Sequence, residues 1–237
     1  MNHTILSARN VRKTYGGGSG SFEALRGVTL DIHEGETVAI AGKSGSGKST
    51  LMHLLALLDR PTDGTILLDG MDTSDLSGRR LNRTRNKTFG FIFQQFFLNP
   101  HQTVLENVML PLTIGGLAAR ARKDRAMSTL RELELDDKAK NRATDLSGGQ
   151  KQRAAIARAV VSNPRVIFAD EPTGNLDSVT GEIVNEILFN LNAEQGITLV
   201  FVTHDSDLAE RCDRQITISD GKISQGDRIG SRQVLAS

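Results

Sequence analysis

Four short stretches of this 237-residue chain carry residue types able to do phosphate chemistry. The first is Gly42-Lys43-Ser44-Gly45-Ser46-Gly47-Lys48-Ser49, followed by Thr50. Its glycines let backbone N–H groups curl toward phosphate oxygens with no Cβ in the way, and a helix starting at its end adds favourable partial charge. In such a loop Lys48 reaches the β- and γ-phosphates, and the Ser49 hydroxyl coordinates Mg²⁺. The second is Asp170-Glu171, behind the apolar run Val166-Ile167-Phe168-Ala169. Neighbouring carboxylates on extended backbone point in different directions. Asp170 is therefore assigned to the metal and Glu171 to the attacking water as general base. The third is His204, which closes the run Ile197–Val202. It can hydrogen-bond a γ-phosphate and sense its loss, whereas His3, His33, His53 and His101 read as packing or surface residues.

The fourth stretch, Leu146-Ser147-Gly148-Gly149-Gln150, opens a second helix and so forms another anion-binding N-terminus. Residues 42–49 already fill the phosphate role within the chain. The second turn is expected to read a nucleotide held by another copy, in a head-to-tail homodimer that buries two ATP molecules. A plain helix start capped by Ser147 accounts for the geometry but not for the glycines. Gln94, after Gly90-Phe91-Ile92-Phe93, can touch Mg²⁺ or water and swing. Phe96-Phe97-Leu98 beyond it suits either a groove for a partner helix or subdomain core, with the partner favoured. Tyr15, the single tyrosine, either stacks on adenine or packs at a strand end.

Elements must bring these residues together. The runs 37–41, 166–169 and 197–202 are short, continuous and β-branched, as strands buried on both faces are. In open α/β sheets, ligands bind beyond the carboxyl ends of such strands. Residues 48–58 read as a helix buried nearly all round. Thr180–Leu191 reads as a helix with Ile183, Ile187 and Leu191 on one face. Ile5–Val11 and Phe22–Ile32 read as strands around a flexible Gly16–Gly20 loop. Asp69-Gly70 and Asp220-Gly221 fit tight turns. Ala126, Met127, Leu130 and Leu133 repeat at helical spacing within a helical subdomain spanning 96–162, leaving 1–95 and 163–237 as the core with its β subdomain.

The net charge of +1 with 24% charged residues points to no nucleic-acid partner. Arg79, Arg80, Arg83, Arg85 and Lys87 read as a solvated helix face. A single cysteine, Cys212, suits a reducing compartment. Neither a signal peptide nor a membrane span is expected, so a membrane role requires another chain to hold this one.

Tyr15, 42–49, Gln94, 146–153, 166–171, Asn175-Leu176-Asp177 and His204 together resemble the ATP-binding cassette (ABC) ATPases over almost the whole chain. Gly90–Gln94, Glu106-Asn107-Val108 and Glu171–Asp177 are similar to the MacB/LolD branch. That resemblance implies an α/β, ABC-type P-loop NTPase with a RecA-like parallel-sheet core, an N-terminal antiparallel β subdomain and an inserted α-helical subdomain. It further implies ATP and Mg²⁺ as cofactors, and a separate FtsX-like permease, two copies with the homodimer, at the cytoplasmic face of the membrane. Cargoes of this branch include haem, peptides, drugs and lipoproteins. By the same resemblance Tyr15 stacks on adenine, Gln94 links metal to permease, and Ser147, Gly148 and Gly149 bind the opposite γ-phosphate. Asp177 connects the two sites and His204 acts as the switch. Lys43 departs from the branch, where a smaller or stiffer residue is common. The alternative class is a soluble or regulatory ABC ATPase, of the iron–sulfur assembly or cell-division type.

Overall fold

Apolar runs of β-branched residues become buried strands, and the segments between them become helices or hairpins. The computed structural model describes residues 3–17 and 20–224, with the backbone of 228–229. In chain order the elements are β1 (Thr4–Tyr15), β2 (Phe22–His33), β3 (Thr37–Ala41), α1 (Lys48–Leu55), β4 (Asp63–Leu68), β5 (Met71–Asp72), α2 (Gly78–Thr88), β6 (Phe89–Phe93), α3 (Val104–Ile114), α4 (Ala119–Glu132), α5 (Gly148–Val160), β7 (Val166–Asp170), α6 (Ser178–Gln195), β8 (Thr198–Val202), α7 (Ser206–Arg211), β9 (Arg214–Ser219), β10 (Lys222–Ile223) and β11 (Arg228–Ile229). They group into two units, Met1–Leu81 with Thr198–Ser237, and Asn82–Ile197. Residues 96–162 fall wholly inside the second.

The first unit combines two kinds of sheet. An antiparallel sheet runs in the order β2-β1-β4-β5. Beside it, β3 lies parallel to β8 on one side and to β9 on the other. Val38, Ala39 and Ile40 of β3 and Leu199, Val200 and Phe201 of β8 are wholly buried, as two-sided burial demands. Both Asp-Gly pairs form hairpin turns with two left-handed residues, φ 51° and 75° at Asp69-Gly70 and 48° and 74° at Asp220-Gly221. Of the expected flexible loop, Gly18 and Ser19 lie outside the described residues.

The second unit is mostly helical. It contains the parallel pair β6 and β7, whose Phe89 and Phe168 rings meet edge to face at 5.5 Å. Ala126 and Leu130 of α4, and Ala154–Ala157 of α5, are buried in its core.

One helix expectation needs correction. α1 stops at Leu55, and Leu57 takes a left-handed φ of 56°. The chain turns there, and Leu58 emerges 41% exposed instead of buried. In α6 the buried stripe is Gly181, Val184, Asn185, Leu188, Phe189 and Asn192, while Ile183 is 53% exposed. Asparagines can occupy a core stripe when the fold offers partners, as Asn192 shows by donating to the Ile197 carbonyl at 2.8 Å. The face shared by Ile183, Ile187 and Leu191 is not the one that α6 buries.

Candidate functional site

In the first unit the loop after β3 is a cradle that excludes side chains. A Cβ on Gly42 would lie 2.2 Å from the Ile218 carbonyl oxygen, and one on Gly47 would lie 2.6 Å from that of Ala24. Both glycines also have positive φ, 150° and 107°. Gly45 has open space around it and needs glycine only for its φ of 76°. The first turn of α1 has no side-chain cap and no acidic residue, so its leading N–H groups are free to meet an anion. Lys48 donates to the carbonyls of Gly42 at 2.8 Å and Lys43 at 3.1 Å, which holds the ammonium against the loop. Ser46 Oγ is buried without a hydrogen-bond partner. Lys43, Ser44 and Ser49 are exposed and Thr50 is half-buried. A Cβ-free cradle, a cation and an orphaned hydroxyl fit a polyphosphate.

Register then delivers His204 to the same strand end. Ile40 pairs with Val202 in the parallel β3–β8 ladder, and the Thr203 N–H donates to the Ile40 carbonyl at 3.2 Å. Gly42 and His204 thus each follow two residues behind that pair. Tyr15 ends β1, 40% exposed.

In the second unit Phe93 of β6 pairs with Asp170 of β7, so Gln94 and Glu171 both step off the ends of neighbouring parallel strands. Asn175 Nδ2 donates to the Gln94 carbonyl at 2.8 Å, and Gln94 Nε2 donates to Asn175 Oδ1 at 3.3 Å. Gly174 makes room, since a Cβ there would lie 2.7 Å from Gln94 Nε2. Asp170 ends its strand as expected, but Glu171 does not continue extended. It is left-handed, with φ 46°. The backbone reverses hand there, a strained conformation for a residue with a Cβ.

The 146–150 turn begins α5 with a reciprocal cap. Ser147 Oγ accepts from the Gln150 N–H at 3.3 Å, and Gln150 Oε1 accepts from the Ser147 N–H at 3.0 Å. Leu146 buries its side chain. Packing explains one of the two glycines, because a Cβ on Gly149 would lie 2.5 Å from Thr180 Cγ2. Gly148 meets only an ordinary contact with Leu176. Asp177 caps α6, accepting from the Thr180 N–H at 3.0 Å and the Thr180 hydroxyl at 2.7 Å. These bonds, the backbone one foremost, hold its carboxyl below the usual range.

Sequence reading missed three supports. Buried Gln152 donates to the Pro172 carbonyl, tying α5 to the segment after Glu171. Arg158 donates to the carbonyls of Phe96 and Phe97, both left-handed at φ 58° and 46°. A lone cation inside Ala154-Ala155-Ile156-Ala157-Arg158-Ala159-Val160 was the available signal. The third support, Lys13 with Asp59, has no such mark. Phe97 is 60% exposed and stands edge-on to Phe93 at 5.2 Å.

Known proteins share this layout. The profile described as ABC transporter matches residues 25–174. The macrolide export ATP-binding/permease protein MacB of Brucella melitensis is 48% identical over 92% of this chain, which spans only 34% of that protein's length. The lipoprotein-releasing system ATP-binding protein LolD of Syntrophus aciditrophicus is 43% identical over 92% of this chain and 98% of its own. Among solved structures, the dimeric post-hydrolysis state of the ATP-binding cassette MJ0796 bound to ADP and Pi superposes with a TM-score of 0.86 at 43% identity, covering 95% of this chain and 98% of that one. Motif spacing, cradle geometry and these likenesses converge, and the chain belongs to the ABC transporter family as an ATP-hydrolysing subunit.

Proposed function

We propose that this chain drives a MacB/LolD-type transporter. It homodimerises around two ATP molecules and powers a separate FtsX-like permease that exports or extracts a hydrophobic cargo. The subunit is held at the cytoplasmic face of the membrane through that permease. The observation that carries the reading is the loop 42–49, where two glycines have no room for a Cβ and an orphaned Ser46 hydroxyl faces no protein partner. The dimeric nucleotide-bound relative supports the assembly, and LolD supports an ATPase chain of similar length.

In this reading Gly42–Ser49 and Thr50 bind the phosphates through backbone N–H groups, Lys48 neutralises β- and γ-oxygens, and Tyr15 stacks on adenine. Ser49, Gln94 and Asp170 are hard oxygen donors of the kind Mg²⁺ selects; when bound, the ion neutralises charge on the phosphates. Glu171 takes the proton of the attacking water, and His204 holds the γ-phosphate position. Ser147, Gly148 and Gly149 meet the γ-phosphate of the twin, while buried Leu146 and the capping Gln150 hold that turn in shape. Asp177 relays between the two sites. Loss of γ-phosphate contacts on hydrolysis reopens the dimer. The exposed Phe97 ring, three residues past Gln94, is the contact offered to the permease.

Glu171→Gln tests the scheme. Hydrolysis falls at least about a hundredfold, and an ATP-dependent dimer accumulates on size exclusion. Parent-like turnover by this variant removes Glu171 from the role of base.

A further inference from the structure

The ring at the end of β1 is clamped. Tyr15 donates its hydroxyl to Asp59 Oδ2 at 3.1 Å. Lys13 Nζ donates to Asp59 Oδ1 at 2.8 Å and to the Arg60 carbonyl at 2.7 Å. The same ammonium stands over the Tyr15 ring, 4.9 Å from its centroid, within cation–π range. The Lys13 side chain is only 12% exposed, so this pair is screened less than a surface ion pair. Burial pushes the Asp59 carboxyl up, but the hydrogen bonds from Lys13, the Arg60 N–H and Tyr15 outweigh it and leave the group below its usual range.

The anchor lies on a meaningful segment. α1 begins at Lys48 and ends at Leu55, and Asp59 follows just beyond the turn at Leu57. A single continuous stretch therefore carries the phosphate loop at one end and the hold on the ring at the other. The end of β1 is stitched to the same stretch by the Thr14 N–H to Thr62 Oγ1 at 3.0 Å and the Thr62 N–H to the Arg12 carbonyl at 2.9 Å. An untethered ring 40% exposed loses rotamer freedom when a base stacks on it. A ring held beforehand loses less.

We propose that Lys13 and Asp59 are positioning residues for the nucleotide base: they hold Tyr15 with Lys13 on one ring face and the other face presented to adenine, at a separation from the phosphate loop set by α1. This rests on the adenine-stacking role proposed above for Tyr15. The test compares ATP with inorganic tripolyphosphate, which offers phosphates and no base. Lys13→Met and Asp59→Ala raise the KM for ATP about five- to tenfold while kcat changes less than about twofold. The inhibition constant of tripolyphosphate stays at the parent value. Tyr15→Phe keeps the ring and loses the tether, and shifts KM in the same direction by about two- to threefold. Parent-like KM in the clamp variants, or an equal loss for ATP and tripolyphosphate, overturns the proposal. Should Asp59→Ala fail to fold by circular dichroism, Tyr15→Phe decides. Tyr15→Ala separates the two ideas. If it binds ATP like the parent, the stacking role itself is wrong; if it alone weakens ATP, stacking stands and the clamp falls. With one tyrosine and no tryptophan, the fluorescence anisotropy of Tyr15 reports directly whether Lys13→Met or Asp59→Ala frees the ring.

Discussion

At residue scale, conformation and space make separate demands, and the loop glycines distinguish them. Gly45 has a positive φ but open surroundings, so Gly45→Ala should cost about 1 kcal/mol in urea unfolding and leave a weakened but measurable ATP affinity. Gly47 has the same demand plus a backbone carbonyl 2.6 Å from where a Cβ would stand. Gly47→Ala should therefore displace the Ala24 strand or the loop, cost several times more, and abolish nucleotide binding. Glu171 offers the converse experiment. Its left-handed φ of 46° is a strain that a glycine relieves. Glu171→Gly should be about 1 kcal/mol more stable than Glu171→Ala by thermal unfolding, although both lose hydrolysis. Equal stability of the two variants means the backbone there is not strained.

Elements turn these local demands into linkage, and α5 does most of it. Its first turn is the capped Ser147–Gln150 segment, Gln152 holds Pro172, and Arg158 holds two left-handed carbonyls next to the exposed Phe97. Burial depresses the Arg158 pKa, yet a guanidinium stays charged, and the two carbonyls are what compensate it. Arg158→Met should destabilise the fold by about 2 kcal/mol in denaturant. α6 supplies a pH test. Thr180 lowers the Asp177 pKa, first through its N–H and then its hydroxyl. A depressed carboxyl stabilises fully above its unfolded value, about pH 4, and that stabilisation is lost as pH falls through the folded value. The stability difference between the parent and Asp177→Ala should be constant near neutrality and shrink below about pH 4. A difference that grows on acidification contradicts the assigned hydrogen bonds.

At the scale of the whole molecule the question is how many chains make one site. The formal charge of +1 gives two copies little long-range repulsion to overcome. If the Ser147–Gly149 turn completes the twin's pocket, two defective chains can rescue each other. Lys48→Ala disables the phosphate loop and keeps the turn, whereas Ser147→Arg does the opposite. Mixed in equal amounts, they should regain roughly a quarter of parental ATPase, since about half of the dimers are mixed and each carries one intact composite site. No recovery on mixing, with both variants folded, argues that each chain works alone.

Phosphate chemistry was legible in the chain because it is written locally. A cradle made of consecutive backbone N–H groups, a cap four residues long and a carboxylate at a strand end all need only neighbours in sequence. Strand identity was legible for the same reason, through runs of β-branched residues such as 37–41 and 197–202. Other features required segments distant along the chain to meet. The reversed hand at Glu171, the buried stripe of α6 with its asparagines, the Arg158 hold on Phe96 and Phe97, and the clamp of Lys13 and Asp59 on Tyr15 are of this kind. Alternatives at those positions differ by only a kilocalorie or two in local propensity, and tertiary packing, which no window of sequence contains, chose among them.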